Sequence, residues 1–187
     1  EDSDAIYAYL RSLPPAAQAD RPHALRFPYN TQLALGVWRA LYFRAADPAD
    51  PAAPTPAPAG RATDAAWQRG AYLARGLGHC IECHSPRNAL GAVGGAVELA
   101  GGAIPAQGWY APSLADQEDA GVARWQHEEV VRLLQTGQEP GATVSGAMAA
   151  VVYGSTQHWS EADLRALAVF LQALPSAPPR APVQVPP

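Results

Sequence analysis

Residues 80–84 read Cys80-Ile81-Glu82-Cys83-His84, and this stretch decides the fold. A Cys-x-x-Cys-His run is the attachment signature of c-type haem. Two thiols one helical turn apart can each form a thioether with a vinyl group on one edge of a porphyrin. The histidine that follows then presents its imidazole to the iron from one face of the ring. The motif therefore predicts one covalently bound haem c, held by Cys80 and Cys83, with His84 as the proximal ligand and Glu82 a solvated charge.

Other uses of the two cysteines fit the sequence less well. They are the only cysteines in the chain, whereas a structural zinc site takes four Cys or His ligands, usually in two clusters. A thioredoxin-like pair needs a βαβ context, and β-branched or alternating runs are few here. A disulfide across two intervening residues would be strained and would leave His84 unexplained. Haem attachment accounts for all three residues.

The overall composition limits the class of partner. The chain has 187 residues, 48% of them hydrophobic, and a net charge of −4, which argues against binding to nucleic acid or to an anionic membrane surface. No stretch approaches the roughly 20 apolar residues of a membrane span. The chain begins at Glu1 without a signal peptide, so we expect a mature or excised fragment. Thioether attachment of haem takes place outside the bacterial cytoplasm, so a periplasmic location is expected.

Two segments of the chain resemble each other. Asp2–Pro14 and Asp163–Pro175 both read as amphipathic helices stopped at a Leu-Pro pair. Their matched positions are Ala5 with Ala166, Ile6 with Leu167, Tyr9 with Phe170, Leu10 with Leu171 and Leu13 with Leu174. The second helix closes the haem-bearing region. We therefore expect residues 1–14 to be the closing helix of a preceding, cytochrome-like module.

The rest of the chain divides by composition. Residues 15–60 form a connector, with a short helix at about 31–43 that Asn30 or Thr31 can cap and a stiff, proline-rich linker at 47–60. The haem domain is expected at 61–175, followed by a proline-rich tail at 176–187.

Three helices are expected in the haem domain, beside the motif itself. Thr63 or Asp64 can cap the first, whose apolar positions recur at helical spacing: Trp67, Gly70, Ala71 and Ala74. Gly70 costs helix propensity, which a close crossing by the last helix would offset. The second helix is expected at about 127–136. The last follows a cap at Ser160, with a buried row formed by Leu164, Leu167, Ala168 and Leu171.

The sixth ligand of the iron must come from outside the motif. Met148 is the only methionine, and residues 137–159, like 85–126, are expected to be loop rich in glycine and proline. A lone methionine outside a periodic apolar element favours ligation over core filling, and a thioether raises the reduction potential. The other histidines are weaker candidates; His158 is the most credible substitute, ahead of His23, His79 and His127.

The surroundings of the haem can be predicted less closely. His84 should donate its other ring proton to a backbone carbonyl, near Pro86 or in the segment that follows. The propionates need hydrogen-bond donors. The candidate side chains are Arg87, Trp109, Tyr110, Arg124 and Trp125, with core packing the alternative for both tryptophans.

Four segments together resemble a known family: 78–87 around the motif, 108–114 (Gly-Trp-Tyr-Ala-Pro-Ser-Leu), 146–149 (Gly-Ala-Met-Ala) and 155–158 (Ser-Thr-Gln-His). They are similar to the multihaem cytochrome c subunits of bacterial membrane-associated alcohol, gluconate, sorbitol and aldehyde dehydrogenases and of some molybdenum hydroxylases. The resemblance covers about residues 61–175. The family usually has three haem motifs, against one here, and often has proline where this chain has Ala147.

The resemblance implies a mostly α, class I cytochrome c fold, with three to four helices around one haem and long loops. It implies His84/Met148 ligation and electron transfer from a dehydrogenase catalytic subunit or another cytochrome c domain to a further haem, a quinone site or a terminal oxidase. No residue is expected to act as nucleophile or general base. If Met148 is not a ligand, a five-coordinate gas sensor or a peroxidase-like enzyme is the alternative. A structural connector in a multihaem chain is a third possibility.

Overall fold

The computed structural model describes residues 2–43, 58–61, 63–94, 97–104 and 108–176. The chain divides into two units, Glu1–Ala45 and Ala46–Pro187. The expected linker at 47–60 lies outside the described residues except for its last three, and the expected tail at 176–187 lies outside them except for Ser176.

The first unit contains two helices, as the sequence predicts. Helix α1 spans Asp2–Ser12 and stops shortly before Pro14. Helix α2 spans Gln32–Tyr42, and the hydroxyl of Thr31 caps it by accepting the N–H of Ala34 at 3.3 Å. Neither helix has a buried residue.

The second unit is mostly helical and carries the Cys-x-x-Cys-His motif. Its α-helices are α3 (Ala65–Tyr72), α4 (Cys80–His84), α5 (His127–Thr136), α6 (Gly146–Gly154) and α7 (Glu161–Gln172). A π-helical turn, Leu73–Leu77, extends α3, and a 3₁₀ turn, Thr156–His158, follows α6. Two antiparallel hairpins complete the unit, β1–β2 (Gly102–Ile104 with Trp109–Ala111) and β3–β4 (Gln138–Glu139 with Ala142–Thr143). The mostly α class is confirmed.

The centre of this unit is the crossing of α3 and α7. A Cβ placed at Gly70 would lie 2.1 Å from the carbonyl oxygen of Ala166, so only glycine lets the two backbones approach this closely. Beside it, the rings of Trp67 and Phe170 are 5.6 Å apart at 58°. The close crossing predicted from Gly70 is confirmed.

The predicted helix boundaries hold where caps are present in the sequence. Asp64 Oδ1 accepts the N–H groups of Ala66 and Trp67 at the start of α3. Ser160 Oγ accepts the N–H of Asp163 at 3.1 Å at the start of α7. These side chains satisfy N–H groups that have no partner within the helix.

The prediction of loop at residues 85–126 and 137–159 is wrong in part. Each hairpin strand has only two or three residues, too few to show a period-two pattern. Helix α6 is apolar on nearly all sides, so it lacks the 3.6-residue pattern by which α5 and α7 were predicted. With α4 and α6, the described residues of the second unit form five α-helices rather than three or four.

The core of the second unit lies between α3, α5 and α7 and the loop segments that cover them. Its largest fully buried side chains are Phe170, Leu99, Leu164, Leu167 and Val130. Among the described residues, none of the helices is both long and apolar enough to cross a membrane.

Candidate haem-binding site

The two cysteines lie on one turn of helix. His79 adopts a left-handed conformation (φ 54°) and starts α4, which places Cys80 and Cys83 three residues apart on it. Both thiols are free; Cys83 is exposed and Cys80 is partly buried. Burial raises the pKa of the Cys80 thiol to about 11, with a smaller contribution from the neighbouring charges of Cys83 and Glu98. Before attachment, the Cys80 thiol is therefore protonated at neutral pH.

His84 is buried and held by a backbone carbonyl. Its Nδ1 lies 2.8 Å from the carbonyl oxygen of Pro112, and because a carbonyl can only accept, Nδ1 carries the proton. Burial lowers the pKa of His84, against the smaller opposing effects of the Pro112 bond and the charge of Asp119. The ring is therefore neutral, and Nε2 keeps the lone pair that a metal ligand needs. The carbonyl lies 28 residues along the chain, in the segment after the motif but not near Pro86.

The segment 99–102 fastens the end of the motif from the other side. The N–H of Gly101 donates to the carbonyl of His84 at 2.6 Å, and the N–H of Leu99 donates to Ser85 Oγ at 3.1 Å. A Cβ at Gly102 would lie 2.3 Å from the carbonyl oxygen of Ser85. Gly102 pairs with Ala111 across the β1–β2 hairpin, so this hairpin also brings Pro112 to the imidazole.

Met148 does not lie in a loop, contrary to the prediction. It is the third residue of α6 and is partly buried. The six-membered ring of Trp109 packs over Gly146, since a Cβ there would lie 2.4 Å from the ring. Trp109 thus touches the start of the Met148 helix, and three residues later the same strand segment supplies the Pro112 carbonyl to His84. One short segment therefore connects the two predicted ligand regions.

The side chains present fit a covalently attached haem. Two free thiols stand on one helical turn, and the following imidazole is neutral, oriented through Nδ1 and able to bind iron through Nε2. Within the described residues, no group of three or more His, Cys, Asp or Glu side chains forms a site for a bare metal ion. The two thiols and the imidazole match the attachment groups predicted for haem c.

The Arg87 guanidinium forms hydrogen bonds to the motif and to the segment after it, so its donors are engaged within the chain. It donates to the Glu82 carboxylate at 2.7 Å, to the Glu82 carbonyl at 2.7 Å and to the Gly91 carbonyl at 2.8 Å. Glu82 is exposed, as expected of a solvated charge, and it also pairs with Arg87.

The other predicted propionate donors lie in two segments, 109–110 and 124–125. Trp109 is half-exposed on β2, and the Tyr110 hydroxyl lies 3.5 Å from Asp119 Oδ2. Arg124 is exposed in the segment before α5, and Trp125 is partly buried against the core. The four candidate histidines outside the motif are all exposed: His23, His79, His127 and His158.

Several residues of the site carry no local sequence signal. Pro112 acts through its carbonyl, and Ser85 and Gly101 act through bonds that depend on the fold. Arg75 and Glu98 form an ion pair 23 residues apart in sequence. Ser85 and Pro112 lay in segments noted for their family resemblance, but without these roles.

Comparison with known proteins gives several similar chains, although no protein-family model matches. The chain is 38% identical over 185 residues to the cytochrome c subunit of a quinone alcohol dehydrogenase from Gluconobacter oxydans, covering 95% of this chain and 37% of that protein. It is 33% identical over 181 residues to the gluconate 2-dehydrogenase cytochrome c subunit of Pantoea cypripedii, covering 93% and 39%. It is 34% identical over 176 residues to a diheme cytochrome c-type protein of Cereibacter sphaeroides, covering 94% and 55%.

The chain thus spans less than two-fifths of the length of the two dehydrogenase subunits, while nearly all of its own length is matched. Over that length this chain is homologous to the cytochrome c subunits of alcohol, gluconate and fructose dehydrogenases, which confirms the resemblance predicted from its motifs.

Proposed function

We propose that this chain binds one haem c through Cys80 and Cys83, with His84 and Met148 as axial ligands, and transfers electrons within a dehydrogenase complex. The observation that carries the proposal is the bond from His84 Nδ1 to the Pro112 carbonyl. It fixes the tautomer and orientation of an imidazole that directly follows two free thiols. Homology to dehydrogenase cytochrome c subunits supports electron transfer as the role.

Haem c, when bound, supplies a one-electron couple, and the residues of this chain hold and shield it. Cys80 and Cys83 fix its position through thioethers. Burial keeps His84 neutral, and the bond to the Pro112 carbonyl orients its ring. Trp109 packs over Gly146 at the start of α6, the helix that contains Met148, which would supply the second ligand to the iron.

The wider setting is also part of the proposal. The donor is a dehydrogenase catalytic subunit or another cytochrome c domain, and the acceptor a further haem, a quinone site or a terminal oxidase. The location is the periplasm. Residues 61–175 are the cytochrome c domain of class I type. Helix α1 is the closing helix of a preceding module, a view supported by its match to α7.

Optical spectra of the purified protein test this function. We expect a reduced c-type α band, a weak far-red methionine–iron band when oxidised, and no change with carbon monoxide. M148A should lose the far-red band and bind carbon monoxide, whereas the control H158A should keep both properties of the parent.

Other results would replace the proposal. A parent protein that binds carbon monoxide, or has a high-spin oxidised spectrum, has an open sixth position and is a sensor or enzyme instead. Loss of the far-red band in H158A but not in M148A would move the sixth ligand to His158.

A further inference from the structure

Arg75 and the buried Glu98 form an ion pair that neither the haem ligands nor the helix crossing requires. Arg75 Nε and Nη2 donate to the two carboxylate oxygens of Glu98 at 2.8 and 2.9 Å. The Glu98 side chain is only 2% exposed. The Arg75 guanidinium also lies over the rings of Phe170 and Trp67, at 5.3 and 5.8 Å from their centroids.

A pair of this kind is poor at stabilising a fold. Removing charges from water costs free energy that their attraction only partly repays, so an apolar pair of the same size is often equally stable. What the pair does supply is a fixed charge arrangement in a medium of low dielectric constant, where electrostatic effects are large. The electrostatic effect of the pair therefore depends on the group that lies beside it.

The pair bridges the two segments that flank the haem motif. Arg75 lies in the π-helical turn that leads into α4. Glu98 directly precedes Leu99, which is fully buried, has φ 57°, and donates its N–H to Ser85 Oγ. Two residues later, Gly101 donates to the carbonyl of His84. The ion pair thus fixes the backbone before the cysteines to the backbone that holds the axial histidine.

The negative charge of Glu98 also reaches the attachment site. Burial is the main reason that the pKa of Cys80 is raised, and the negative charge of Glu98 adds to it. A charge felt at the Cys80 thiol is felt by a porphyrin attached to that thiol. Oxidation of the haem iron adds one positive charge, so an anion there favours the oxidised state and a cation the reduced state.

We propose that Arg75 and Glu98 are positioning residues that set the reduction potential of the haem through two opposed charges, one of them fully buried. The inference rests on the proposed function, because it requires that haem is attached at Cys80. It assigns a role to two residues that do not ligate the iron or form the thioethers.

The test is a potentiometric titration of three haem-loaded variants at pH 8. E98Q should raise the midpoint potential, since Arg75 is left uncompensated. R75Q should lower it, since Glu98 is left uncompensated. R75Q/E98Q should return toward the parent value. The exposed pair Arg165–Glu128, whose charged atoms are 2.8 Å apart, provides the controls E128Q and R165Q, which should leave the potential unchanged.

Shifts of the midpoint potential in opposite directions distinguish a role in setting the potential from a purely structural role. If the two single variants shift the potential in the same direction, or if neither shifts it, the pair only stabilises the fold and the inference is wrong. If R75Q does not accumulate as folded protein, E98Q is compared with R75Q/E98Q instead. The inference then requires that the midpoint potential rises in E98Q and returns toward the parent value in the double variant. A parent protein without covalent haem would overturn the proposed function itself, which the spectrum reveals before any titration.

Discussion

Helices α1 and α7 carry the same pattern of residues in opposite environments. Leu10 and Leu171 occupy matched positions, yet Leu10 is 58% exposed and Leu171 5%. Tyr9 is 64% exposed, whereas its counterpart Phe170 is 1% exposed. An amphipathic pattern therefore predicts that a segment is helical, but not what covers its apolar face.

The difference arises from the partners of α7. Its apolar row meets α3 across Gly70 and packs beside α5, so that burial and helix formation support each other. Helix α1 has 11 residues and no buried side chain, and helices shorter than about 12–15 residues are marginal in water without packing. The comparison teaches that α7 contributes to the stability of its unit through contacts, whereas α1 contributes little.

The largest expected effect separates the two matched leucines. L171A should lower the free energy of unfolding of the second unit by about 2–5 kcal/mol, because it leaves a cavity in a packed core. L10A should change stability by no more than about 0.5 kcal/mol, since its side chain is mostly in water. Urea denaturation followed by far-UV circular dichroism on the haem-loaded protein measures both. Equal losses would show that α1 is packed as tightly as α7.

Glycines inside helices of the two units, Gly70 in α3 and Gly36 in α2, should respond differently to replacement by alanine. G70A should destabilise by about 1–3 kcal/mol, because the new Cβ would force α3 and α7 apart. G36A in α2 meets nothing within 4 Å, so it should be neutral or stabilise by about 0.5–1 kcal/mol through helix propensity. The same denaturation experiment applies. A tolerated G70A would mean that the crossing can widen without loss.

The fold was predictable where the physics is local. The caps at Asp64 and Ser160 and the bounds of α5 follow from neighbouring residues alone. Gly70 predicted a close crossing because glycine within a helix needs a reason. Helix α6 was missed because an all-apolar run of alanine and valine has no period, and the hairpins because their strands are too short.

For the site, the sequence makes its prediction from the motif alone. Cys80, Cys83 and His84 are adjacent in sequence, so spacing alone predicts their chemistry. The Pro112 carbonyl and the pairing of Arg75 with Glu98 depend on chain segments brought together by folding. No sequence pattern predicts such contacts, because neither partner stands in a local sequence pattern that points to the other.

A smaller effect is expected from the helix caps of the two units. S160A removes the acceptor for the N–H of Asp163 and should cost the second unit about 1 kcal/mol of unfolding free energy. T31A removes the corresponding acceptor for the N–H of Ala34 in α2. Because α2 has no buried residue, we expect T31A to speed hydrogen exchange of α2 amides without moving the main unfolding transition. A shift of that transition by T31A as large as that by S160A would mean that the units unfold together.

The smallest effect concerns Asp163 and its matched residue in α1, Asp2. Hydrogen bonds from Arg69 to Asp163, at 2.7 and 3.2 Å, are the main reason that the pKa of this carboxyl is below its ordinary value of 3.8. Both side chains are partly in water, so D163N should cost only about 0.5 kcal/mol at pH 7 after solvent screening. D2N should have a smaller effect on the same transition, because α1 has no buried contacts to lose.

The stability lost in D163N should depend on pH in a defined direction. A carboxyl whose pKa is lowered on folding contributes stability above its unfolded pKa, and that stability is lost as the pH falls through the folded pKa. The difference between the parent and D163N should therefore be constant from pH 7 down to about pH 5 and shrink below about pH 4. Added salt should shrink it at pH 7 as well. A stability difference between the parent and D163N that persists at pH 2 would assign the effect to the altered side chain near Ser160 rather than to the charge. D2N provides the control at each pH.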